Sequence, residues 1–360
     1  MQKEEAKEEL SFLSEDKPFD ITKIIENFPE QAEVVAGSEE EKFQSLMIPY
    51  SSDLEAYFND FVASRMQNAG FTDADIYLLE HKGESLAVKV FNHLSSKEFI
   101  TDACIRFALR NCPQIDQLNQ FSSVVKNEFG RSVIRYYLLT ESAARESLYT
   151  LLKSPQKLTE SQIVRIALDI AKGLKEMHRR GIIHKNICTY NIYITQDLEA
   201  KLSNFEGSVI QQKGVFTALY TPNNTFGGWG APEMYKKNPI TPAVDIYGLG
   251  KLLLILITRD TSLAVSTLDL SILKKVLNPE EKYIPKNCHP QYRQIMQACL
   301  AKNPKDRPTI FEVEKQLESL LAKISIDPHI VTGSSSSIFS STTTEVQSTI
   351  KNNPISCLIL

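Results

Sequence analysis

The stretch His184-Lys185-Asn186-Ile187-Cys188-Thr189-Tyr190-Asn191 decides the reading of this chain. Before it runs an apolar, helix-period segment from Ser161 to Gly181 that closes on Met177-His178, followed by Ile182-Ile183. Behind it four further stretches keep a fixed order: Lys201-Leu202-Ser203-Asn204-Phe205-Glu206-Gly207, then Gly230-Ala231-Pro232-Glu233, then Asp245-Ile246-Tyr247-Gly248-Leu249-Gly250, then Asn303-Pro304-Lys305-Asp306-Arg307-Pro308-Thr309. Any one of these could arise by chance. The ordered series is hard to explain that way.

Outward from this core, Ile76-Tyr77-Leu78-Leu79 and Leu86-Ala87-Val88-Lys89-Val90 read as two strands joined at Lys82-Gly83-Glu84. Phe99, Ile100, Ala103, Cys104 and Phe107 mark one amphipathic helix, and Val124-Val125 with 133–139 a second hairpin around 127–130. After Ser142 the pattern is mainly helical, with short strands between Ile183 and Leu202 and helices to about Ile324. A small strand-rich part thus precedes a larger helical one. Ahead of it, Leu54, Tyr57, Phe58, Phe61 and Val62 recur at helical spacing, with Ser51 and Ser52 as caps, so a packed helix is expected over 51–69. Residues 1–50, acidic and poor in aromatics, read as a partly disordered arm. Residues 326–360, with runs of Ser and Thr, read as a flexible tail.

With 360 residues, 42% hydrophobic and 23% charged, the chain can bury a sizeable core, and a formal charge of -4 gives no reason to expect a nucleic-acid partner. The six cysteines form no C-x-x-C pair and Met1 to Leu10 lacks a signal-peptide pattern, which favours a reducing, cytoplasmic setting. The longest apolar run, 249–257, is interrupted by Lys251 and is far short of the ~20 residues of a membrane span, so a buried core helix is expected there.

In length, endpoints and order these motifs resemble those of protein kinases: the catalytic loop H-R-D-x-x-x-x-N at 184–191, the metal-binding D-F-G at Asn204-Phe205-Glu206, and A-P-E ending at Glu233. The chain is most similar to the mixed lineage kinase domain-like pseudokinases of the tyrosine-kinase-like group, through the stretch from Asn191 to Phe205 with Thr195-Gln196 and Lys201-Leu202. The resemblance implies an α+β, two-lobed fold over 70–325, with a strand-rich N-lobe at 70–140 and a helical C-lobe at 141–325. It also implies that Glu233 and Arg307 form a buried ion pair, that Asp245 accepts backbone N–H groups of the catalytic loop, and that His184 and Phe205 are structural.

Phosphoryl transfer needs one carboxylate to accept the substrate proton and another to hold magnesium. Asn186 and Asn204 stand at those positions. An amide has no basic lone pair of useful pKa, and one neutral carbonyl oxygen binds a hard cation weakly. No catalytic or metal site is therefore expected to be intact. Gly70, Ala87, Lys89 and Asn191 are the positions left for weak nucleotide binding. Gly70 is the one glycine kept from the phosphate loop, and Asp73 and Asp75 would repel phosphate. The helix after Lys89 offers only Glu98 and Asp102 as its acidic partner, both early, and a Lys89 without that partner would hold any nucleotide loosely. Cys188 has no neighbour at metal-ligand spacing and reads as inert packing.

The expected function is a pseudokinase that works as a signalling scaffold or switch. The alternative is a weakly active protein kinase or another nucleotide-dependent transferase on the same fold. No cofactor is required; ATP, held with weak or no Mg dependence, is the candidate. Thr217, Tyr220, Thr221 and Thr225, between Gly207 and Gly230, are candidate sites for an upstream kinase. The final residues Cys357-Leu358-Ile359-Leu360 match a C-a-a-X box whose Leu favours geranylgeranyl, so a prenylated Cys357 at the cytosolic face of a membrane is expected. The expected partners are signalling proteins and that membrane surface.

Overall fold

The computed structural model describes residues 42, 45–46, 65–66, 75–81, 84–91, 96–128, 131–141, 146–212, 215–216, 229–235, 240–261 and 288–326. Strands β1 (Arg65–Met66), β2 (Asp75–His81), β3 (Glu84–Phe91), β4 (Leu118–Glu128) and β5 (Arg131–Thr140) form one antiparallel sheet in the order β1-β2-β3-β5-β4. Helix α1 (Ser96–Ala108) packs on it through Phe99, which stacks on Tyr136 at 4.9 Å and meets Phe91 and Phe121 edge-on. The apolar stripe read from the sequence, Phe99, Ile100, Ala103, Cys104 and Phe107, is buried. In β3 the register sets Lys89 opposite Ile76 and Leu138, between two neighbouring strands. Its side chain therefore leaves a rigid, centrally paired backbone.

Arg65–Met66 corrects the expectation of a helix reaching residue 69. These two residues are extended and pair with Tyr77 and Ile76, because β2 offers them an open edge of backbone donors and acceptors. Residues 51–64 and 67–69 lie outside the described residues, as do the arm before Lys42 and the tail after Ile326.

Beyond the sheet the chain is mainly helical: α2 (Leu148–Lys153), α3 (Glu160–Arg179), α4 (Ala243–Thr258), α5 (Pro290–Cys299) and α6 (Ile310–Ile326). Helix α3 starts on a reciprocal cap. Thr159 Oγ1 accepts the Gln162 N–H while Gln162 Oε1 accepts the Thr159 N–H, at 3.2 and 2.8 Å. Its apolar face, Ile163, Ile166, Ile170, Leu174 and Met177 among it, is buried, each such side chain stabilising the fold by roughly 1.5–3 kcal/mol. Helix α4 is buried from Val244 to Leu256, as the apolar run around 249–257 led one to expect. No helix among the described residues is long and apolar enough to cross a membrane.

Short strands β6 (Glu146–Ser147), β7 (Ile182–Ile183), β8 (Ile192–Ile194) and β9 (Ala200–Leu202) surround the loop quoted at the outset, β6 pairing with β8, and β10 (Val209–Gln212) pairs with both β7 and β11 (Val215–Phe216). The segment after α1 is strapped to β9: Leu202 N–H donates to Gln114 O at 2.8 Å and Asp116 N–H to Leu202 O at 2.9 Å. This strap carries the start of the Asn204 segment up to the sheet.

Candidate functional site

Asp245, in the first turn of buried α4, organises the loop from below. Its Oδ2 accepts the backbone N–H of His184 at 2.9 Å and its Oδ1 that of Lys185 at 2.8 Å, while His178 Nε2 lies 2.8 Å from Oδ2. With two backbone donors fixed, Lys185 takes a left-handed φ of 69° and the chain turns back on itself. His184 Nε2 donates to the Ser203 carbonyl at 3.0 Å, and its Nδ1 accepts the Asn186 N–H at 3.4 Å. Those two bonds suit the neutral imidazole, and burial holds His184 below its ordinary pKa. Its role is structural.

Above this frame a chain of hydrogen bonds runs in one direction. Lys89 Nζ donates to Asn204 Oδ1 at 2.7 Å, Asn204 Nδ2 donates to Asn191 Oδ1 at 2.6 Å, and Asn191 Nδ2 donates to the Asn186 carbonyl at 2.8 Å. Asn204 sits at φ 66°, a left-handed conformation that asparagine tolerates better than most residues. The Asn204 amide oxygen is thus committed to the ammonium of Lys89.

Lys89 also meets Asp102 Oδ2 at 3.0 Å and Glu206 Oε2 at 2.6 Å. Asp102 in turn accepts from Arg106 Nε at 2.7 Å, one turn further along α1. Arg106 Nη1 reaches Asp116 Oδ2 and the Asp116 carbonyl, both at 2.6 Å, and Nη2 reaches Ser203 Oγ at 2.9 Å. Burial alone would lower the Lys89 pKa, but the carboxylates of Asp102 and Glu206 outweigh it and hold it above its usual value. Burial alone would likewise raise Asp102, and Arg106 with Lys89 hold its carboxyl below the usual range. Tyr193 projects from β8 on the face opposite buried Ile192 and Ile194. Burial, with Asp116 as its strongest charged neighbour, pushes its phenol up.

Glu233 and Arg307 form the expected buried pair, bidentate at 2.6 and 2.8 Å. Arg307 further donates to the carbonyls of Ala243 and Ala301 and lies over the Tyr247 ring at 4.9 Å. This ties the Gly230–Glu233 segment to α4 and to the turn before α6.

The family described as protein tyrosine and serine/threonine kinase matches residues 72–317. This chain belongs to that kinase family. Among proteins similar to it are RGS domain-containing serine/threonine-protein kinase A of Dictyostelium discoideum, 25% identical over 254 residues, which are 68% of this chain and 21% of that protein. Serine/threonine/tyrosine-protein kinase HT1 of Arabidopsis thaliana is 27% identical over 187 residues, 51% of this chain and 47% of that protein. Serine/threonine-protein kinase STY17 of the same plant is 27% identical over 195 residues, 53% and 33% respectively. The chain therefore spans from about a fifth to about half of the length of these relatives.

Of the kinase positions read from the sequence, Ala87, Lys89, His184, Asn186, Asn191, Asn204 and Phe205 lie on the elements described above, and the asparagines join Lys89 in one bonded chain. Gly70, Thr217, Tyr220, Thr221, Thr225 and Cys357 lie outside the described residues. Cys188 is buried and its thiol is pushed up to about 12, as inert packing requires.

Of the two early acids, Asp102 is the one that partners Lys89. Asp102 is far enough along α1 because β3 runs to Phe91 and α1 begins only at Ser96, so two turns of helix bring residue 102 beneath the lysine. Three participants were missed. Arg106 carried a signal, an i,i+4 partner to Asp102 amid apolar neighbours. Glu206 carried another, a carboxylate where D-F-G has glycine. Asp116 carried none, since its role depends on the strap to β9.

Proposed function

We propose that this member of the kinase family is a pseudokinase, acting through binding and conformation rather than phosphoryl transfer. The observation that carries the reading is the chain of hydrogen bonds from Lys89 through Asn204 and Asn191 to the Asn186 carbonyl, in which asparagines stand at both positions that need a carboxylate, 186 and 204, and the Asn204 oxygen is spent on the lysine. A base of useful pKa is absent at Asn186, and the divalent-ion position lacks its negative charge. Incubating the purified chain with ATP and magnesium or manganese, against generic protein acceptors, should give no more transfer than Lys89→Ala. Metal-dependent transfer that Lys89→Ala abolishes would overturn the reading.

A second reading, a weakly active kinase, is favoured by one feature. The Lys89–Asp102 ion pair supplies the acidic partner that an active kinase needs on this helix. The same transfer assay decides between the two.

Within the pseudokinase reading, the 207–230 segment is a switch, with Thr217, Tyr220, Thr221 and Thr225 as sites whose phosphorylation changes partner binding. Unaltered partner capture by the fourfold Ala variant (Phe for Tyr220) removes that element. Membrane tethering through an isoprenoid on Cys357 is an independent part of the proposal. It stands if mass spectrometry finds the isoprenoid on Cys357 in eukaryotic cells, and fails if Cys357→Ser leaves the distribution unchanged.

A further inference from the structure

We propose that the Glu206 carboxylate occupies, on the Lys89 ammonium, the place that a phosphate of a nucleotide would take, and so gates the cleft against nucleotide polyphosphates. The inference rests on reading Lys89 as the nucleotide-facing cation of the kinase fold.

An ammonium has three protons to donate. Lys89 faces three oxygens, Asp102 Oδ2 at 3.0 Å, Asn204 Oδ1 at 2.7 Å and Glu206 Oε2 at 2.6 Å. Asp102 and Asn204 accept hydrogen bonds from it and Glu206 holds it in ion contact, so an incoming phosphate oxygen must displace one of these three oxygens to reach the ammonium. Asp102 is fully buried and also holds Arg106 Nε, so moving it would break a second buried ion pair. Asn204 is pinned by its bond to Asn191 and by its left-handed backbone. Glu206 is the member of the three with access to solvent, its side chain 16% exposed. Beside it, a Cβ added at Gly207 would meet nothing within 4 Å. Glu206 is therefore the ligand that must leave.

Charge points the same way. Lys89 and Arg106 are set against Asp102, Asp116 and Glu206, two cations against three carboxylates. A polyphosphate approaching this cluster is repelled while Glu206 remains ionised in place. Without that carboxylate these described charges balance and the side of the Lys89 ammonium that Glu206 covers is open.

The test is equilibrium binding of ATP to the full chain in EDTA, by calorimetry and by thermal shift, for wild type, Glu206→Gln and Glu206→Ala. Adenosine serves as the phosphate-free control. A charge-assisted hydrogen bond regained by phosphate should tighten ATP binding by about tenfold or more in Glu206→Ala, with Glu206→Gln between it and wild type. Adenosine binding should not change, and Lys89→Met added to Glu206→Ala should erase the gain. Equal ATP affinity in wild type and both variants, whether all bind or none does, overturns the gate, as does a gain that survives Lys89→Met. Phosphoryl transfer by the wild type in a parallel assay would sink the pseudokinase reading and leave this affinity ratio meaningful. A ratio of one would sink the gate alone.

Discussion

The Arg106 guanidinium lies over the Phe205 ring, 5.2 Å from its centre. The cation sits fully buried on the apolar face of α1, among Ile105 and Leu109, and is held there by Asp102 on one side and Asp116 on the other. It links three segments distant in sequence: the helix, the strap before β4, and the residues that follow β9. A buried ion group of this kind contributes little net stability by itself, because desolvation consumes most of the Coulomb gain. Breaking it is another matter.

Arg106→Leu should therefore destabilise the protein by about 3–5 kcal/mol, since it leaves buried Asp116 without its cation and Asp102 with Lys89 alone. Asp116 Oδ1 already has no hydrogen-bond partner among the described residues. Urea denaturation monitored by circular dichroism checks this. Adding Asp116→Asn to Arg106→Leu should recover part of the loss; a double variant no more stable than the single one would show that Asp116 is not stranded.

The Glu233–Arg307 pair follows the same logic with fewer escape routes, as the Arg307 side chain is fully buried and reaches carbonyls on both flanks. Glu233→Gln should cost roughly 3 kcal/mol and Arg307→Met about as much. Their double variant should cost clearly less than the sum, because each single change already forfeits the shared interaction. Denaturant midpoints of the four proteins measure the coupling.

Gly248 tests how the catalytic loop is seated. A Cβ there would lie 2.8 Å from Ile187 Cβ and 3.2 Å from the Ile187 carbonyl. Alanine gains up to about 1 kcal/mol of helix propensity. Overpacking against a β-branched side chain and backbone costs about 1–3 kcal/mol, so the net effect of Gly248→Ala should be destabilising. A melting temperature equal to or above wild type would contradict this packing.

Lys251 predicts a pH dependence. It is buried on α4, its ammonium 5.6 Å from the Tyr247 ring, and burial pulls its pKa down from 10.5 to about 8. Between those two values the unfolded chain binds the proton and the folded chain does not, so this lysine makes stability rise with pH from about 8 to 10.5. Below pH 8 its buried charge is a cost. Lys251→Met, similar in volume and neutral, should raise stability at pH 7 by roughly 2 kcal/mol and flatten the slope above pH 8. Lys185, also pulled down to about 8, should leave a smaller residual slope in that variant. Denaturant melts at pH 7, 8, 9 and 10 would show it.

The two-lobed fold was legible because its signals are local. Alternation in β2 and β3, the 3.6-residue stripe of α1 and α3, and the all-apolar run in α4 are each written within a few turns or one strand. The positions of Asn186 and Asn204 were legible for the same reason, as substitutions inside short motifs. The strand at Arg65–Met66 was not, since its extended form answers to the open edge of β2 and overrides the helical spacing just ahead of it. Nor was the pairing of Lys89 with Asp102, which depends on where α1 starts and how it sits under the sheet.

By itself the sequence determined that this chain adopts the kinase fold and that asparagines stand at 186 and 204 within its motifs, because residue identity and motif order need no geometry to be read. Only the tertiary structure decided what those amides do. It set Asn204 and Glu206 against Lys89 and wedged Arg106 between Asp102 and Asp116. Lys89 and Glu206, 117 positions apart on the chain, meet only after the strap to β9 and the turn at Asn204 have closed, and Coulomb energy in a buried cluster depends on ångström distances that no local pattern encodes.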